Sequence, residues 1–206
     1  MFVLPKNEAS ADGAALLQDM LRSQLENFGQ IEVRSRAAES RSISSTLSKD
    51  VEAGFRAIND GDEDKALIVL GGAFTAIKAH NGPLDKRLMA QILKGLAVAN
   101  AMDGEKKKAR NFLNASLNFW PEQKTLEYAY SKDVFQLYAS TEKARLTTLR
   151  ASLELSCPTD GATIFVDGEK QGASPVSVKG LHAGGHWVVI RAEGYRTAAN
   201  WVELKA

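Results

Sequence analysis

A single cysteine, Cys157, among 206 residues excludes an internal disulfide and any metal site built from several thiolates. Charge of neither sign predominates. The 26 Lys+Arg stand against 25 Asp+Glu for a net charge of +1, so no basic surplus exists to bind nucleic acid through its phosphates. No apolar run nears the ~20 residues of a membrane-spanning helix; the longest, Ala66 to Ala73, is interrupted by Gly71 and Gly72. Met1-Phe-Val-Leu-Pro5 lacks the basic start and long apolar stretch of a signal peptide. The chain therefore either stays in the cytoplasm or has had a leader removed. Chemistry-bearing motifs are missing as well. There is no Gly-x-Ser-x-Gly, no Cys/His pair and no spaced carboxylate dyad, and Gly71-Gly72 lacks the Lys-Ser/Thr of a phosphate loop. Asp60-Gly-Asp62-Glu63-Asp64 departs from the order of a calcium loop and suits a helix start, where acids complement the macrodipole. His182 and His186 flank Gly184-Gly185 without a third ligand beside them, so a turn and strand-start role is expected. No enzyme activity, cofactor or metal is expected.

What is present has the composition of a globular protein, with 44% hydrophobic and 25% charged residues. Phe2-Val3-Leu4, then Leu17, Leu21, Leu25 and Phe28 at helical spacing, then Gly29 and Ile31-Glu-Val33, read as strand, helix, strand. This predicts a βαβ unit over 1–36 with parallel strands. It resembles the start of the amino-terminal α/β domain of the Tol-Pal propeller protein family. Residues 37–47, rich in Ser and Arg, read as a linker.

Helical patterning then runs over 48–150. Gly61, Lys65, Ala66 and Leu70 recur 43 residues later as Gly104, Lys108, Ala109 and Leu113. A turn glycine, a charged first helical turn and a small alanine where two helices cross together resemble the tetratricopeptide repeat. In that resemblance Gly54 and Ala97 hold the small position of the first helix, Gly61 and Gly104 the turn, and Ala66 and Ala109 the crossing; Pro121 ends the second copy. Two departures make this only TPR-like: the period exceeds the family's 34, and Asp50 and Leu93 stand where an aromatic is expected. A plain helical bundle is the alternative. Lys106-Lys-Lys-Ala-Arg110 reads as a solvated helix face. A last helix, near Lys132 to Leu149, is expected to send Val134, Leu137, Tyr138 and Leu146 to the core.

From Ala151 the period changes to two. Leu153, Leu155 and Cys157 alternate, and Gly161-Ala162, Asp167-Gly168, Ser174-Pro175, Gly184-Gly185 and Gly194-Tyr195 punctuate short apolar runs. Asp-Gly is a strong hairpin signal, and Pro175 presets an extended strand start. The order of Gly161, Gly168, Pro175, Gly185 and Gly194 resembles the PEGA domain, a small β-sandwich of bacterial cell-envelope proteins. The expected fold is thus α+β and multidomain: a βαβ unit, a TPR-like helical middle, and a PEGA-like sandwich over 151–206.

Alternation sorts the sandwich into two faces. Ala162, Ile164, Val166, Val188, Ile190, Val202 and Leu204 lie on one; Thr163, Phe165, Trp187, Val189 and Trp201 lie on the other. A module this small buries little core alone, so the aromatic face is expected to dock on the helices or on a partner. The alternative is a ring platform for polysaccharide or peptidoglycan. The PEGA resemblance implies a periplasmic or envelope location and a scaffold or adaptor that binds envelope proteins, with no nucleic acid partner.

Overall fold

The computed structural model describes residues 36–80, 85–123, 131–148 and 150–205. The strands and helix expected within 1–36 lie outside the described residues. Ser44–Ala206 forms one compact unit, separate from Met1–Ile43. Among the described residues five helices come first: α1 (Arg36–Asn59), α2 (Glu63–Ala79), α3 (Lys86–Met102), α4 (Lys106–Phe119) and α5 (Lys132–Thr147). Six strands follow: β1 (Ala151–Leu155), β2 (Thr163–Val166), β3 (Glu169–Ala173), β4 (Val176–Leu181), β5 (Gly184–Arg191) and β6 (Ala198–Leu204). The protein is α+β, with the helices in the middle of the chain and an antiparallel β region at its end.

The stretch 37–47, expected as a linker, is helical, and the boundary between the two compact units, Ile43/Ser44, falls within it. It forms the first half of α1. Its serines give it a loop-like composition, yet no Gly or Pro interrupts 36–53, and a serine can satisfy its hydroxyl within the helix. Ser48 Oγ does so, donating to the Ser44 carbonyl at 2.9 Å.

Two helical hairpins end their first helix identically. Gly61 N–H donates to the Ile58 carbonyl and Asp62 N–H to that of Ala57; Gly104 N–H donates to Ala101 and Glu105 N–H to Asn100. Both glycines have positive φ, +75° and +80°. These are paired Schellman caps, which need a left-handed residue that glycine supplies without a Cβ clash. The acidic stretch after Gly61 begins α2, and Asp62 Oδ1 accepts the Lys65 N–H at 3.0 Å. Ala66 and Ala109 are both 0% exposed. Between the hairpins Leu70 of α2 is clasped by two glycines. A Cβ on Gly54 of α1 would lie 2.4 Å from Leu70 Cγ, and one on Gly95 of α3 would lie 2.6 Å from its Cδ1. Ala97 packs with Leu113, Leu117 and Tyr138.

On α5 the buried line is Val134, Tyr138, Thr141 and Arg145. Leu146, expected in the core, is 83% exposed. Arg145 takes the inward position because its guanidinium caps the end of α4, and the next residue is turned about 100° away.

The β region is two antiparallel sheets, β1–β4 and β3–β2–β5–β6. Asp167 and Gly168 form the two-residue β2–β3 turn, both with positive φ (50° and 80°), as a type I′ hairpin requires. Gly161 lies before β2, Pro175 immediately before β4, and Gly194 in the β5–β6 turn; the Ser174–Pro175 peptide is cis. Ile164, Val166, Val178 and Val188 form the core between the sheets, lined by Leu153, Leu155, Val176, Leu181, Ile190 and Val202. Cys157 lies half-buried past the end of β1, its backbone bonded in both directions to Ser174 Oγ.

Candidate functional site

The register of the four-stranded sheet sets which side chains share a face. Phe165 lies opposite Val189 and Trp187 opposite Trp201, whereas Val166 lies opposite Val188 and His186 opposite Val202. Cross-strand partners project to the same side. One face therefore carries Phe165, Trp187, Val189 and Trp201, and the other is the sandwich core.

The ring-bearing face is turned onto the helices, with α4 packed along β5. Trp187 is 2% exposed. Trp201 meets Phe74 of α2 edge-to-face at 5.1 Å and lies parallel to Phe119 of α4 at 6.2 Å; Phe74 in turn meets Phe112 edge-to-face at 5.8 Å. Such ring pairs add about 0.5–1.5 kcal/mol each beyond their buried area. Gly185 makes the closest approach. A Cβ there would fall 1.8 Å from Trp201 Cζ2, so the strand needs a glycine for the indole to lie across it. Sequence alone placed Gly185 in a turn; it is instead the second residue of β5. Phe165 is half-buried, with the Arg191 guanidinium 4.8 Å from its ring centre. A glycan platform needs these rings in the open, but Trp187 is buried and helix residues Phe74 and Phe119 lie against Trp201. An exposed ion pair from Lys86 of α3 to Glu169 of β3 also crosses the seam and contributes little.

A polar cluster adjoins these rings at Gly185. Asp167, set by its left-handed turn conformation, accepts the Trp187 backbone N–H through Oδ1 at 2.9 Å and meets His186 Nδ1 through Oδ2 at 2.6 Å. His186 Nε2 lies 2.8 Å from the His182 carbonyl. From the helices, Asn118 Nδ2 donates to the Gly185 carbonyl at 3.2 Å and stands 3.3 Å from His186 Nε2. Asn118 Oδ1 accepts from Arg145 at 2.9 Å, and Arg145 also donates to the Asn114 and Leu117 carbonyls. A cation at the C-terminal end of α4 complements its dipole. A continuous polar path thus runs from α5 through α4 into β5 and the β2–β3 turn.

The charges respond to this setting. Burial lowers the Arg145 pKa to about 10, aided by Arg150 and opposed by Tyr138, Asp167 and Glu142; it stays cationic at neutral pH. Burial also works to lower the His186 pKa, but the Asp167 hydrogen bond and charge and the His182 carbonyl outweigh it, and the net shift is upward. His182 moves the other way, to about 4, through burial and the charges of Arg145, Arg150 and His186.

Residues 151–206 match the PEGA domain family. No curated protein and no solved structure matches the chain. The PEGA module starts at β1 and includes both sheets, so the whole polar cluster is shared between it and the helices. Among the described residues no group of three or more His, Cys, Asp or Glu is arranged to hold a metal ion. His186 carries a role beyond the strand start expected for it. Asp167 had a local explanation as a hairpin residue, and Asn118 and Arg145 had no signal at all, because their partners are distant in sequence.

Proposed function

We propose that this chain is a non-enzymatic scaffold or adaptor of the bacterial cell envelope, with a TPR-like pair of helical hairpins braced by a PEGA module. The observation that carries this reading is the seam. The ring-bearing face of the PEGA module rests against α2 and α4, so the module stiffens the helices, and the helical surface remains for a protein partner. The paired Schellman turns at Gly61 and Gly104, with Ala66 and Ala109 buried behind them, support the repeat reading. Helical repeats characteristically present such surfaces to peptides and proteins.

Photo-crosslinking in cells from Lys49 and Glu52, both exposed on α1, tests it. The expected result is a discrete protein adduct in the envelope fraction. Recovery in the cytosol without an adduct would overturn the proposal. Co-sedimentation with peptidoglycan that is abolished in a folded Trp201→Ala variant would replace it with the glycan reading.

A further inference from the structure

We propose that His186 is a proton-operated latch that holds the PEGA module closed against the helices. His186 is 1% exposed, at the point where the β2–β3 turn, the β4–β5 turn and the end of α4 converge. Both ring nitrogens face oxygen acceptors, the Asp167 carboxylate at 2.6 Å and the His182 carbonyl at 2.8 Å. A neutral imidazole has a single N–H and serves only one of them; the imidazolium serves both. Asn118, its oxygen held by Arg145, offers this cluster only amide N–H donors, and these are directed at the Gly185 carbonyl and His186 Nε2 rather than at the His182 carbonyl. Once deprotonated, Nε2 presents a lone pair to the His182 carbonyl and takes the Asn118 amide as its donor instead. The β4–β5 turn then loses its tie to the seam.

The surrounding charges are Asp167 on the β2–β3 turn, His182 on the β4–β5 turn, Arg145 on α5 and Arg150 ahead of β1. The folded state holds the His186 proton more tightly than an unfolded chain with the ordinary value of 6.5. Its contribution is therefore complete below pH 6.5 and is lost as pH rises through the folded value. His182 limits the acid side. Below 6.5 the unfolded chain gains a proton that the folded protein refuses until about pH 4, so stability falls across that interval. The latch is most secure near neutrality.

Imidazole proton resonances of the full chain, followed from pH 5 to 9, measure His186 without any substitution. The expected titration lies above 6.5, accompanied by faster backbone hydrogen exchange at Gly185 and His186 than the general base-catalysed rise on the alkaline side. His186→Gln should remove the alkaline fall in melting temperature, and His182→Asn the acid fall. Where His186→Gln fails to fold, Asp167→Asn should shift the His186 midpoint downward. A His186 midpoint at or below 6.5, or seam exchange that follows only the intrinsic base-catalysed rate, would overturn the latch.

Discussion

Trp187 illustrates how closely a residue's burial and its partners must be considered together. It is among the most buried large side chains of the seam, yet its indole Nε1 has no hydrogen-bond partner among the described residues. An unsatisfied buried donor costs about 1–3 kcal/mol, which the ring's packing offsets. Trp187→Ala should lower stability by about 3–5 kcal/mol, as for other buried aromatic truncations, and leave no separate binding defect. Trp187→Phe should cost clearly less, since it removes the orphan donor while keeping a ring. Chemical denaturation of both variants distinguishes these outcomes, and equal losses would mean the ring itself contributes little. Asp167 has the opposite problem, because it answers two donors at once. Asp167→Ala strands the buried His186 and the Trp187 N–H, and about 3 kcal/mol or more should be lost. If urea midpoints barely move, the pair is not the anchor of this cluster.

At the scale of elements, close approach between backbones governs the helical hairpins and the seam alike. Leu70 is seated between Gly54 and Gly95, and Trp201 crosses Gly185. Filling such a contact overpacks it, at about 1–3 kcal/mol or more where the neighbour cannot move. Gly54→Ala and Ala109→Leu should each lower the melting temperature by several degrees. Gly185→Ala should lower it further, because a rigid indole has less freedom to retreat than a leucine end. A melt unchanged in Ala109→Leu would show that the α3–α4 crossing is loose. Leu146, exposed on α5, provides the control, and Leu146→Ala should fall within about ±0.5 kcal/mol of the parent, as surface substitutions generally do.

For the whole molecule, the question is whether helices and sheet unfold together. Ser44–Ala206 is one compact unit, its seam held by aromatic stacking and by the adjoining Asp167–His186–Asn118–Arg145 path. A small sandwich has little independent stability. The helical signal in far-ultraviolet circular dichroism and the fluorescence of Trp187 and Trp201, recorded with Trp120→Phe, should therefore lose structure in one transition. Two separated midpoints would show that the PEGA module stands without the helices and that the seam is a weak contact.

Local chemistry made part of this protein legible in its residues. Asp167-Gly168 specifies a type I′ turn because few other dipeptides accept positive φ twice, and Gly61 and Gly104 announce helix ends for a similar steric reason. Period two placed Ile164, Val166 and Val188 on one face and Phe165, Trp187 and Trp201 on the other, since neighbouring strand residues must point to opposite sides. Those properties depend only on near neighbours in the chain. The serine-rich start of α1 was misleading because composition does not reveal whether each hydroxyl finds a carbonyl one turn back. Leu146 lost its expected inward place to Arg145 because the carbonyls at the end of α4 take a cation, a demand that arises on another helix. The same is true of Gly185, whose missing side chain is required by an indole on β6, and of His186, whose pKa is raised by a carboxylate and a carbonyl brought to it only by folding. Near neighbours in the chain thus set the glycine turns and the two faces of the strands, whereas which face is covered and which buried charges meet follows from packing, because burial and electrostatics join residues far apart in the chain.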